Sequence, residues 1–113
     1  MSRPDHALDE LHRTIAARRG ADPASSYTAK LLARGTAKIA QKLGEEAVEA
    51  VIAATRGERS ALIGESADLL YHLLVLWADA GIDPEEIWAE LRRRAGVSGL
   101  SEKAARTAKD GGG

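Results

Sequence analysis

The chain has 113 residues, a formal net charge of −1 and a pI near 6.3, which leaves room for one domain with one modest core. The near balance of charge removes any bulk electrostatic case for nucleic acid or an anionic membrane as partner, so an anionic ligand has to be captured locally. Zero cysteines exclude disulfides, thiolate zinc sites and cysteine nucleophiles, and leave oxygen and imidazole chemistry.

The N-terminus carries no apolar segment of signal-peptide length, and no uninterrupted apolar run approaches the roughly 20 residues of a membrane span. A soluble cytoplasmic protein is the expectation. Residues Asp5 to Arg19 hold Leu8, Leu11, Ile15 and Ala16 at helical spacing, and the stretch from Gly20 to Ser26, with Pro23 inside, reads as a break. Tyr27 to Ala33 is a short apolar stretch after two serines, predicted as one or two helical turns ending near Gly35.

Two longer helices follow. The first runs from about Thr36 to Thr55 and stops at Arg56 and Gly57; the second runs from about Ser60 to Ala80 and stops at Gly81. Their tight connection makes them antiparallel neighbours. Asp83, Pro84 and Glu85 supply an N-cap, a proline at the first helical position and an acid in the first turn, opening a helix to about Ala95. Arg92, Arg93 and Arg94 complement its C-terminal dipole. Ser101 is a candidate cap for a last short helix, and residues 1–4 and 110–113 are expected to be flexible. No repeat or β-type alternation occurs, and Ala, Leu and Glu dominate. The fold class is therefore all-α, a helical bundle of one domain over 1–113 with two central antiparallel acidic helices.

Those two helices carry Glu-x-x-Glu (Glu46, Glu49) and Glu-x-x-Asp (Glu65, Asp68). Residues three apart share one side of a helix, so packing the helices together gathers four carboxylates. Such a cluster repels itself, at roughly 4 kcal/mol for each pair about 4 Å apart at an effective dielectric of 20. A hard divalent ion, Mg²⁺ or Mn²⁺, is the natural remedy, because it prefers oxygen donors and works with phosphate groups.

The competing reading is a solvated acidic face with basic partners. It fares badly on the second helix, where no Lys or Arg occurs between Ser60 and Leu91. Projection at about 100° per residue sets Asp68, His72 and Asp79 within roughly 60° of Glu65, a narrow polar line on an otherwise apolar helix. A helix this apolar needs burial on most sides, more than a monomer of 113 residues readily provides. On the first helix Lys38, Lys42, Glu45, Glu46 and Glu49 share a wedge of about 100°, and ordinary Lys to Glu pairing explains it equally well. There the neighbouring helix tips the balance. Lys38 and Lys42 are candidates for phosphate oxygens; Tyr27, Tyr71, Trp77 and Trp88 are candidates for stacking on a base, with core the better reading for the two tryptophans. His72 is either a proton carrier or, more commonly for one histidine on a packed helix, a hydrogen-bonded core residue. A di-iron carboxylate bundle normally needs Glu-x-x-His pairs, and His72 follows Asp68 by four.

GTAKIAQKLGEEAVEAVIAA from Gly35 and ESADLLYHLLVL from Glu65, with SYTAKLL from Ser26 and GVSGLSEKAAR from Gly96, resemble the phosphoribosyl-ATP pyrophosphohydrolase family. The helix pair alone resembles the wider MazG-like group of α-helical nucleotide pyrophosphohydrolases. The family resemblance implies hydrolysis of phosphoribosyl-ATP to phosphoribosyl-AMP and pyrophosphate, in histidine biosynthesis, by an all-α homodimer. It implies Mg²⁺ on Glu46, Glu49, Glu65 and Asp68. With no nucleophile motif in the chain, direct attack by water is expected, and a neighbouring carboxylate, Glu45 or Glu46, is the candidate that takes the proton. It matches Lys38 and Lys42 to the basic positions before the acidic pair. Phosphate binding is expected from these lysines, with Arg106 as a further candidate, since no Walker-type glycine loop is present. The chain reads as the stand-alone hydrolase rather than a fusion to a cysteine-zinc cyclohydrolase. Two alternatives stay open: a house-cleaning nucleoside triphosphate pyrophosphohydrolase with the same metal site, and a non-catalytic helical dimerisation module.

Overall fold

A computed structural model describes residues 7–96, which contain five helices and no strand. The helices are α1 (Ala7–Ala17), α2 (Tyr27–Arg34), α3 (Thr36–Thr55), α4 (Arg59–Ala80) and α5 (Pro84–Ala95). The all-α expectation is met. The last short helix, the expected flexible ends and Arg106 lie outside the described residues. The first helix is shorter than its periodicity suggested: Arg18 and Arg19 leave it as turns bonded to Ile15 O and Ala16 O.

The chain divides into two compact units, one ending at Ile82 and one opening at Asp83. In the first, α3 and α4 form the central hairpin, α1 packs on α4, and α2 packs on both. The hairpin closes at Gly57, whose φ of +69° a Cβ disfavours. Glu58 N donates to Ala53 O and Gly57 N to Ala54 O, which satisfies carbonyls at the end of α3. Counting eight residues either way from Gly57 pairs Glu49 with Glu65, so this tight turn sets the register of the acidic residues. At the open end Thr36 Oγ1 donates to Asp79 Oδ2 at 2.5 Å. The Arg19 guanidinium donates to Ala78 O and Asp79 O, a cation on the carbonyl end of α4.

The core lies at that open end. Ile15, Leu31, Ile39, Leu74, Val75 and Ala78 form it, with Leu8, Leu11, Leu32, Tyr71, Leu76 and Trp77 packed around them. All buried residues of α4 fall between His72 and Ala78. The half of the hairpin nearer Gly57 is apolar yet bare, with Val48, Val51, Ile52 and Ile63 between 41% and 61% exposed. Burial on most sides thus holds within one chain only for the C-terminal half of α4. By length and composition α4 is also apolar enough to cross a membrane, a property that counting uninterrupted runs missed because Glu65, Asp68 and His72 break them. Here α4 is the helix on which α1, α2 and α3 pack.

The second unit opens with α5. Asp83 accepts from Glu85 N at 2.8 Å, and Glu86 reaches back to Asp83 N at 3.0 Å, a capping box ahead of Pro84. In its last turns Glu90 takes hydrogen bonds from Arg93 and Arg94, which hold its carboxyl down at about 2.

Candidate functional site

The hairpin sets Glu46 and Glu49 of α3 against Glu65 of α4. One carboxylate oxygen from each lies within 4.8 Å of the others. Glu46 and Glu65 are half-buried and Glu49 is exposed. Glu46 Oε1 and Glu65 Oε1 are shielded from solvent and have no hydrogen-bond partner among the described residues. Buried acceptors left this way are costly, because folding removes their water and returns nothing. Burial, and after it the adjacent Glu49 and Glu46 carboxylates, push the Glu65 carboxyl above its ordinary value.

Asp68 is exposed and falls outside that group of three. Helix geometry gives the reason: residues three apart differ by about 60° around the axis, so a helix that turns Glu65 toward α3 rotates Asp68 toward solvent. Glu45 is also exposed and is engaged elsewhere. Gln41 Nε2 donates to it at 2.9 Å and Lys42 Nζ at 3.2 Å, and these bonds, with Gln41 first, hold its carboxyl below the usual range. The Lys42 ammonium is correspondingly raised, first by its hydrogen bond to Glu45. The Lys to Glu pairing open to this helix is thus realised between Lys42 and Glu45.

The aromatic corner between α2 and α4 settles the place of His72. It is buried at 6% exposure; its Nδ1–H donates to Asp68 O at 2.8 Å, and its Nε2 faces the Tyr27 hydroxyl at 3.4 Å. In the neutral imidazole, with Nδ1 the donor, Nε2 accepts from the Tyr27 O–H. Thr28 Oγ1 bonds the Tyr71 hydroxyl, and the Tyr27 and Tyr71 rings stack with centroids 6.2 Å apart. His72 thus orients Tyr27 rather than joining the carboxylates.

Tyr27, Lys38 and Lys42 come together in a pocket of about 160 Å³, and two residues that sequence reasoning left out join them there: Lys30 and Arg34, with Leu31 as the apolar wall. A signal was available, since Lys30, Arg34, Lys38 and Lys42 recur every fourth position. It was masked by Gly35, which ends α2 and begins α3 at φ +92° and ψ 172°, a conformation essentially confined to glycine. Gly35 breaks the helix, so the two cation pairs approach one cavity from two helices.

Two oxygens that are buried and unsatisfied, a third acid beside them, and no nitrogen or sulfur donor in the group make up the donor set of a hard divalent cation. A cation there offsets the mutual repulsion and restores the lost partners of Glu46 and Glu65. Glu46, Glu49 and Glu65 therefore fit such an ion.

The comparisons with known proteins agree on one family. A family model described as phosphoribosyl-ATP pyrophosphohydrolase matches residues 8–95. A phosphoribosyl-ATP pyrophosphatase of Azospirillum brasilense is 65% identical over 99 residues, covering 88% of this chain and 89% of its own length. One from Paramagnetospirillum magneticum is 59% identical over 109 residues, covering 96% of this chain and 100% of its own. One from Gluconobacter oxydans is 61% identical over 99 residues, covering 88% and 74%. All five described helices fall essentially within the matched region, so the chain belongs to the phosphoribosyl-ATP pyrophosphohydrolase family.

Proposed function

We propose that this chain hydrolyses phosphoribosyl-ATP to phosphoribosyl-AMP and pyrophosphate, with Mg²⁺ as cofactor and Mn²⁺ as a substitute, in the cytoplasm, as a step of histidine biosynthesis. Family membership supports the reaction. The observation that carries the site is the meeting of Glu46, Glu49 and Glu65 with two buried, partnerless oxygens.

In this reading Glu46, Glu49 and Glu65 hold the metal, and Asp68, on the next turn of α4, is the fourth candidate donor. Once bound, the ion supplies positive charge opposite the phosphate oxygens and activation of water. The chain's own groups do the rest. A water oxygen bonds to phosphorus as the bridging bond between the α and β phosphates breaks, and its proton passes to a carboxylate. Glu45 is a poor acceptor, because Gln41 and Lys42 stabilise its charged form. Glu46 is the better one, and Glu45 serves by holding Lys42 beside the phosphates. Burial of Glu46 and Glu65 excludes water and strengthens their electrostatic effect.

Pyrophosphate release from phosphoribosyl-ATP by the purified chain is the direct test. We expect turnover that stops with chelator, returns with Mg²⁺, and exceeds turnover of ATP and other nucleoside triphosphates. Glu46→Gln removes it, whereas Glu45→Gln chiefly raises KM. Equal or faster cleavage of ordinary triphosphates identifies a house-cleaning enzyme, and absence of any metal response leaves a dimerisation module.

We place the homodimer interface on the bare half of the α3–α4 hairpin. Val51 at 61% and Ile63 at 60% exposure are large apolar side chains left bare on both helices of that half, and exposed apolar surface of this kind marks an interaction site. Sedimentation velocity should give twice the chain mass, and Val51→Asp the mass of one chain. A wild-type monomer at micromolar concentration refutes this placement.

A further inference from the structure

We propose that Tyr27, Lys30, Arg34, Lys38 and Lys42 form a diphosphate subsite that holds the end of the substrate that leaves as pyrophosphate. The assignment rests on the hydrolase reading and adds to it the residues that grip the leaving group.

Among the described residues, four cationic side chains and no acid line this pocket. Among the described residues the Lys30 and Arg34 side chains make no hydrogen bond or ion pair, and Lys38 only lends its charge to Glu45. Surface lysines ordinarily diverge into water. These three lysines and Arg34 reach one cavity from two helices because Gly35 turns the chain between Arg34 and Lys38. Like charges gathered in one cavity repel each other, and an anion with several oxygens turns that cost into binding. Arg34 brings a planar fork suited to two phosphate oxygens at once, and the lysines act as point charges around it.

Size and position select the anion. A cavity of about 160 Å³ is smaller than the roughly 300 Å³ at which nucleoside-sized ligands begin to be enclosed. That volume accommodates phosphoryl groups. Lys42 lies one helical turn, about 5–6 Å, from Glu46 along α3. Phosphates continuing from those that face the carboxylates enter the pocket directly. The phosphate on the second ribose is separated from them by two sugars and a base, and is not the neighbouring group. Tyr27 closes the pocket wall, held by its contact with His72.

Calorimetric titration of inorganic pyrophosphate into the full chain, with Mg²⁺ present, tests the subsite separately from turnover. Lys30 and Arg34 are exposed, so the Lys30→Gln/Arg34→Gln variant should keep the wild-type unfolding temperature. It should weaken pyrophosphate binding by about tenfold or more and raise the KM for phosphoribosyl-ATP by a similar factor. Arg34→Lys, which keeps the charge and loses the fork, should show part of that loss. Unchanged pyrophosphate affinity in the double variant overturns the subsite. So does a higher KM with unchanged pyrophosphate affinity, which places the second ribose's phosphate there instead. Failure of the hydrolase reading itself shows up differently, as absence of phosphoribosyl-ATP cleavage by the wild-type chain.

Discussion

Glu65→Gln is expected to do two opposite things: abolish turnover and stabilise the metal-free protein. In the folded chain burial raises the Glu65 carboxyl, and the Glu49 and Glu46 carboxylates raise it further. A carboxyl whose folded pKa lies above its unfolded value, about 4.3 for glutamate, binds its proton more tightly in the native state. At neutral pH the charged group therefore destabilises the fold, and the penalty disappears as pH falls through the folded pKa. Glutamine has the same shape and no charge, so it removes the penalty at every pH. In chelator at pH 7 the variant should melt above wild type, and the gap should close as pH falls below about 4.3.

Adding Mg²⁺ or Mn²⁺ reverses the order. A ligand at 100 times its Kd stabilises the native state by about 2.7 kcal/mol, which wild type gains and the variant largely forgoes. Loss of a carboxylate that contacts the ion should lower turnover by more than the roughly 10- to 100-fold typical of residues supporting a ligand from behind. Turnover within a factor of two of wild type, or an equal metal-induced shift in both proteins, would remove Glu65 from the site.

Much of this arrangement could be read from residue order because it depends on short-range rules. Gly57 and Gly81 end their helices by adopting positive φ, Asp83 and Pro84 begin the next, and a tight turn leaves α3 and α4 no option but to run antiparallel. Glu49 and Glu65, equidistant from Gly57, meet for that reason. The parts that were not legible depend on how elements cross. Lys30 and Arg34 sit on a short helix whose direction is set by Gly35 and by the Tyr27, Thr28, Tyr71 and His72 corner, and no periodicity reports that angle. Asp68 shares the polar line of α4 with Glu65 but is exposed. Spacing cannot say which of two residues about 60° apart faces the neighbour and which faces water. The hydrophobicity of α4 was legible as a demand for burial. The structure divides that demand, because the half from His72 to Ala78 is met by α1, α2 and α3, and the half toward Arg59 stays bare.

That division makes the effect of truncating an apolar side chain depend on where along the hairpin it lies. Ile39 is fully buried at the core end, in one cluster with Ile15, Leu31, Leu74, Val75 and Ala78. Ile39→Ala should destabilise by about 2–5 kcal/mol, from lost transfer energy and the cavity left behind, and Ile39→Val by about 0.5–1.5 kcal/mol. For a chain of this size each kcal/mol is worth about 4–8 °C in Tm, so the alanine variant should melt at least about 8 °C lower. Measured by urea unfolding at fixed protein concentration, the midpoint should fall with an unchanged slope. Val51→Ala removes comparable apolar bulk from a residue that is 61% exposed, and should cost little in any form of the protein that does not pair through that face. Ile39 also lies between Lys38 and Lys42 on α3, so its packing fixes the helix that carries half of the cationic pocket. Ile39→Ala below its melting temperature should therefore raise KM more than Val51→Ala does. A destabilisation by Ile39→Ala below about 1 kcal/mol would mean that the core at the open end of the hairpin is not what holds α3 to α4.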